Sequence, residues 1–217
     1  MRLNEQLAAF RAEFSRTAQP ESVALYEAKI EELCVEFARR NPVRAGDKAP
    51  DFTLPNGQGQ PVTLSALLGD GPVVLTFYRG GWCPYCNLQL RAYQASLPDI
   101  QALGARLVAV SPQLPDNSMS TAEANALLFD VLSDVGNHIA RSYGLAYTLP
   151  GELQQALRSV NKALPDVNGD ESWELPVPAT YVIDPGRRIA AAQIDVDYRN
   201  RLDPEEIMAA LKQVASA

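Results

Sequence analysis

A three-layer α/β domain behind an N-terminal helical extension is the architecture this sequence predicts. Two observations carry it. Short continuous apolar runs, PVVLTFY (72–78), RLVAVS (106–111) and FDVLSD (129–134), alternate with stretches of helical periodicity. That is the pattern of buried strands joined by covering helices. Beyond them ATYVID (179–184) and RIAAAQID (188–195), separated by Pro185-Gly186-Arg187, read as a hairpin, and DPEEIMAALKQV as a closing helix.

Taken in order, residues 3–40 read as helix. Leu3, Leu7, Phe10 and Phe14 share one face; after the break at Gln19-Pro20, Val23, Tyr26, Ile30, Leu33 and Phe37 continue the spacing until Asn41-Pro42 stops it. Each apolar stripe must be buried, which predicts a helical hairpin packed on the main body, with dimerisation as the alternative. DFTL (51–54) and PVTL (61–64) flank the turn NGQG. A helix is expected from Pro84 to about Leu103, with Leu88, Tyr93, Leu97 and Ile100 inward. HIARSYG is a short helix ending on glycine, and 150–175 an inserted helix and loop. Asp203, Pro204 and Glu206 form a helix start with a capping box. The division expected is therefore 1–45 as helical extension and 46–217 as the main domain, with the insertion at 150–175.

With 217 residues, 47% of them hydrophobic, the chain has material for one sizeable core and an appendage. A net charge of −7 with no basic stripe argues against nucleic acid and anionic membrane surfaces as partners. No apolar run approaches the ~18 residues of a membrane span. MRLNEQLAAFRAEF lacks the apolar core of a secretory signal, so the expected location is the cytoplasm. Thiols there stay reduced, and a C-x-x-C pair is more often catalytic or metal-binding than a structural bridge.

That pair stands in GGWCPYCN, residues 80–87. Cys83 follows a buried strand and precedes Pro84, a residue suited to the first helical turn. Both Cys83 and Cys86 then lie where free backbone N–H groups and the helix dipole favour thiolate over thiol. Arg79, four residues earlier, adds positive charge. An i,i+3 disulfide stabilises a fold little and is readily reduced, as suits a working dithiol. Zinc would need four ligands, and only Cys34 and His138 remain as a further sulfur and imidazole. Cys34 is expected to be buried on an apolar helix face. No metal and no cofactor are expected.

The segment GDKAPDFTL…PVVLTFYRGGWCPYC, followed by LVAVSP, FDVLSD and PATYVID, resembles the peroxiredoxins, the alkyl hydroperoxide reductase and thiol-specific antioxidant group, over residues 46 to about 212. The resemblance implies the thioredoxin fold, with the cysteines at a strand-to-helix turn. It departs at the site. Of the family's Pro-x-x-x-Thr-x-x-Cys, the Cys matches Cys86, but Cys83 replaces the Thr and Arg79 the Pro; the family's arginine falls on Pro178. The same stretch is similar to the thioredoxin motif Trp-Cys-x-x-Cys, matched by Trp82, Cys83, Pro84, Tyr85 and Cys86. That likeness implies a cis-proline at Pro178, leaving neighbouring backbone free to pair with an extended substrate. Arg79, Trp82, Pro84, Tyr85, Pro178 and Thr180 are expected to shape the site.

Two chemistries follow from the resemblance. As a hydroperoxide reductase, Cys86 attacks the peroxide and Cys83 condenses with the sulfenic acid. As a thioredoxin-like protein disulfide reductase, Cys83 attacks and Cys86 resolves. Either needs a thioredoxin-like or low-molecular-weight thiol reductant. A redox sensor whose dithiol switches the N-terminal helices, and a homodimer, complete the expectations.

Overall fold

A computed structural model describes residues 2–216. The N-terminal helices are α1 (Leu3–Thr17) and α2 (Pro20–Phe37). The hairpin β1 (Thr53–Pro55) and β2 (Pro61–Thr63) leads through α3 (Leu64–Leu68) into β3 (Val73–Phe77). Then come α4 (Pro84–Ala95), α5 (Leu97–Ala102), β4 (Arg106–Ser111), α6 (Pro115–Ala124) and β5 (Asp130–Ser133). α7 (His138–Ser142), β6 (Ala146–Thr148), α8 (Gly151–Ser159), α9 (Leu164–Asn168) and β7 (Glu174–Pro176) lead to the hairpin β8 (Ala179–Ile183) and β9 (Ile189–Ile194), and α10 (Pro204–Ala215) follows.

The central sheet has the order β5-β4-β3-β8-β9, with β3, β4 and β5 parallel and β8 antiparallel to both neighbours. Side chains alternate between its faces, as strand geometry requires. Val73, Leu75, Phe77, Val108, Val110, Tyr181 and Ile183 enter one core with Leu64, Tyr143 and Leu157. Val74, Leu107, Ala109 and Val182 enter the other with Leu90, Tyr93, Ile100 and Leu211 from α4, α5 and α10. Leu3 and Leu7 of α1 belong to this second core, so the N-terminal hairpin packs on the main body along the helix that carries the cysteines. No helix of the described residues is long and apolar enough to cross a membrane.

Three local expectations are corrected. The helix from Pro84 breaks at Ser96: Pro98, with no N–H to donate, falls in the first turn of α5. Leu90 rather than Leu88 is the buried leucine of α4. Cys34 is exposed, because α2 buries fully only Phe37 and Cys34 stands at the border of its stripe. Two further elements carry no sequence signal, the three-residue strands β6 and β7, which pair at the base of the 150–175 stretch.

Candidate active site

The turn from β3 into α4 is built by two glycines. Gly80 has φ +140°, and a Cβ there would stand 2.4 Å from Trp82 Nε1; one on Gly81 would stand 2.3 Å from Thr121 Oγ1. Only glycines fit this turn, which is held when Gly81 N–H donates to Gln113 Oε1 at 2.7 Å. Cys83 becomes the N-cap of α4, extended at φ −93°, ψ 114°, and Cys86 lies in its first turn. Both are free thiols, 1% and 0% exposed.

Two buried arginines face the pair. Arg79 Nη1 lies 4.0 Å from Cys83 Sγ, and its guanidinium stacks over Tyr198 (4.1 Å) and Trp82 (4.9 Å) while Nε finds no partner. Arg201 Nη2 lies 3.5 Å from Cys86 Sγ and its Nε donates to Gln89 Oε1 at 2.7 Å. A hydrogen bond from the Cys86 thiol, then the charges of Arg79 and Arg201, hold Cys83 well below the ordinary thiol range despite its burial. Burial and the neighbouring Cys83 sulfur push Cys86 the other way. The dithiol thus carries its charge on Cys83.

Behind Arg201 lies a satisfied polar cluster. Gln89 Nε2 donates to Thr76 Oγ1 (3.1 Å) and Tyr93 OH (3.2 Å); Thr180 Oγ1 lies 3.0 Å from Thr76 Oγ1 and 3.1 Å from Tyr93 OH. Thr180 therefore supports the arginine's partner and does not touch a cysteine. Tyr85 packs edge-on against Phe10 of α1 (5.0 Å) and Tyr198 (5.6 Å), and Pro84 is exposed.

A cavity of about 300 Å³ opens above the pair. Phe10 and Phe14 of α1, Tyr26 of α2 and Leu153 and Leu157 of α8 wall it; Cys83, Arg79, Trp82 and Tyr198 line it, and Cys86 does not. A larger hollow of about 950 Å³, between the β1–β2 turn, α6 and the ends of β4 and β5, contains neither cysteine.

Pro178 departs from expectation. No peptide bond among the described residues is cis, so Val177–Pro178 is trans. The backbone before it is already engaged: Val177 N–H donates to Leu145 O at 2.9 Å, continuing the β6–β7 pairing straight into β8. It is not free to pair with an extended substrate. Sequence reasoning missed Arg201, Tyr198, Gln89 and Gln113. The only available signal was a glutamine on the inward face of α4 and the arginine-rich loop DYRNRLDP, which has no periodicity.

The AhpC/TSA family profile matches residues 45–192. The chain belongs to the AhpC/TSA family. A putative peroxiredoxin of Mycobacterium tuberculosis is 30% identical over 151 residues, spanning 70% of this chain and 85% of that relative. Peroxiredoxin Bcp of Escherichia coli is 30% identical over 105 residues, 48% of this chain and 67% of its own. Among solved structures, peroxidoxin BcpB of M. tuberculosis superposes with a TM-score of 0.62 at 24% identity, covering 79% of this chain and 97% of that one. A variant of Xylella fastidiosa PrxQ gives 0.62 at 18% identity, covering 81% and 99%. These likenesses show the thioredoxin-like fold. The AhpC/TSA match begins at residue 45, beyond α1 and α2.

Proposed function

We propose that the chain is a thiol-dependent hydroperoxide reductase cycling Cys83 and Cys86 between dithiol and disulfide. The observation that carries the proposal is the Cys83 sulfur lining a cavity with the Arg79 guanidinium 4.0 Å away. The Cys83 thiolate attacks the terminal peroxide oxygen; an S–O bond forms, the O–O bond breaks, and the alkoxide leaves as alcohol on taking a proton. Cys86 then attacks the sulfenic sulfur, the S–S bond forms and water leaves. A thioredoxin-like or low-molecular-weight thiol supplies the two electrons that reopen the disulfide. The family relatives named peroxiredoxins support the same chemistry.

Attack by Cys86, the order implied by the family alignment, has one observation in its favour: Arg201, from another part of the chain than the family's arginine, lies 3.5 Å from Cys86 Sγ. A protein disulfide is less well served, because α1 and α8 wall the cavity over the pair and the backbone at Val177 is already bonded.

Mixing reduced protein with hydrogen peroxide in stopped flow, with Trp82 as reporter, tests the proposal. Fast second-order oxidation that survives in Cys86→Ser and is lost in Cys83→Ser supports Cys83 attack; the opposite pattern supports Cys86. A rate no faster than that of a free thiol defeats peroxide reduction altogether.

A further inference from the structure

The chain carries a net charge of −7, yet the charges lining the cavity over Cys83 are mostly positive: Arg79, Lys162 and Arg199 against Glu27. Arg199 and Glu27 pair at 2.6 Å and offset each other. Among the described residues neither Arg79 nor Lys162 comes within ion-pair distance of a carboxylate. Arg79 is 5% exposed, and its Nε has no hydrogen-bond partner. Lys162 is half-buried, and its Nζ donates to Trp82 O at 3.3 Å. A buried cation without a counter-charge is costly, and an anion beside it relieves most of that cost. The remaining walls are apolar, with Phe14, Tyr26, Leu153 and Leu157 inside and Phe10 and Val160 keeping 37% and 58% of their surface in solvent. About 300 Å³ is the small end of the ~300–1,000 Å³ usual for ligand pockets. An apolar chamber with two unmatched cations is complementary to a small amphipathic anion.

We propose that this cavity binds an organic monocarboxylate with an apolar body, and holds it most tightly when Cys83 and Cys86 are joined as a disulfide. The carboxylate meets Lys162 and the planar fork of Arg79, and the hydrocarbon body lies between α1, α2 and α8. The redox preference follows from what stands beside Arg79. In the reduced protein Cys83 Sγ, 4.0 Å from Arg79 Nη1, is the anion that competes for the guanidinium. A disulfide is neutral, so the competitor is gone. Ligand and sulfur share one cation, and the bound carboxylate therefore covers Cys83: it regulates the site and is not a reactant. By linkage, the factor by which it prefers the oxidised form is the factor by which it shifts the dithiol–disulfide equilibrium toward disulfide. The inference rests on the proposed function only in placing the anionic sulfur on Cys83.

Isothermal titration calorimetry with sodium octanoate, on oxidised and on reduced protein without peroxide, is the test. One saturable site is expected on the oxidised chain. Octan-1-ol, which lacks the charge, and acetate, which lacks the apolar body, should each bind about tenfold more weakly or worse. The reduced chain should bind octanoate about tenfold more weakly than the oxidised one. Cys83→Ser, which has no thiolate, should bind within about threefold of the oxidised parent. Arg79→Gln should weaken binding to the oxidised chain about tenfold or more, and Lys162→Gln and Val160→Glu about three- to tenfold. The last two alter side chains that are not fully buried, so they guard against a misfolded Arg79→Gln. Octanoate binding no tighter than octan-1-ol, or unmoved by all three substitutions, overturns the site. Equal affinity for the two redox forms overturns the competition at Arg79. Reciprocally, saturating octanoate should move the equilibrium with reduced and oxidised glutathione toward protein disulfide by the factor found in calorimetry; a shift toward dithiol refutes the linkage. No arm uses peroxide, so a failure here and a failure of peroxide reduction are seen separately.

Discussion

Leu7→Ala isolates what the N-terminal helices do for the cysteines. Leu7 is 1% exposed and shares a buried cluster with Tyr85, Cys86 and Leu90, so its side chain helps join α1 to the active-site helix. The substitution removes three buried carbons, worth ~0.8 kcal/mol each, or ~2.4 kcal/mol in transfer free energy. A hollow of about 280 Å³ already adjoins Leu7, lined by Asn4, Arg11 and Arg201 among others. Water entering the enlarged space keeps the added cavity cost small, so a total of roughly 2.5–3 kcal/mol is expected, near the lower end for buried leucines. If α1 opens as a unit ahead of global unfolding, its opening constant rises ~100-fold, at 1.4 kcal/mol per decade. Native-state hydrogen exchange of α1 amides and the alkylation rate of Cys83, in a Cys34→Ser background, should both rise by that factor. Unchanged α1 exchange in a protein whose melting temperature has fallen would refute the role of α1 as a separate cover.

Three other perturbations bear on the same region. The iodoacetamide rate of reduced Cys83 should have its pH midpoint below the ordinary thiol value of ~8.5; a midpoint at or above it contradicts the charge placed on Cys83. By linkage, the stabilisation from this lowered pKa is present in full above the unfolded value and disappears as pH falls through the folded one. Acidification should therefore lower the melting temperature of the reduced protein more than that of the oxidised protein, and equal falls would contradict the charge placed on Cys83. The hydrogen bond from Arg199, helped by Arg11, lowers the Glu27 carboxyl to about 2. Its contribution is thus held above the unfolded value near ~4.3 and lost as pH drops toward about 2. Because the Glu27 side chain is 41% exposed, Glu27→Gln should cost no more than ~1 kcal/mol, read by denaturant titration, and salt should reduce the difference; a cost above ~3 kcal/mol would show the pair to be desolvated. Gly81→Ala places a methyl 2.3 Å from Thr121 Oγ1, so ~1–3 kcal/mol of destabilisation is expected, partly rescued by Thr121→Ala. No rescue would place the strain elsewhere.

The central strands were legible because each is an unbroken apolar run between turn residues, as in VVLTF and ATYVI. The position of the dithiol was legible too, since Pro84 in a first turn fixes where α4 begins. Strands of three residues, as in AYT and ELP, have no period to detect and exist only through each other. Cys34 misled because a helical wheel gives the direction of a stripe but not how far the body reaches along it. Pro178 misled because local likeness to thioredoxin says nothing of the Leu145 carbonyl that engages the residue before it. Arg201 was out of reach altogether: 115 residues separate it from Cys86, and it sits in a loop whose course depends on α1.

That loop ties together parts of the chain about 200 residues apart. Leu3 N–H donates to Asp203 Oδ1 across 200 residues, and Asn4 and Arg201 exchange hydrogen bonds of 2.8 and 3.2 Å. A ribosome adding ~5–20 residues per second delivers Arg201 some ~6–23 s after Cys86. Through that interval the nascent cysteines have Arg79 in sequence but neither Arg201 nor the seat of α1. The Arg201 guanidinium beside Cys86 and the anchors of Leu3 and Asn4 on the loop are thus in place only once residue 203 has been added.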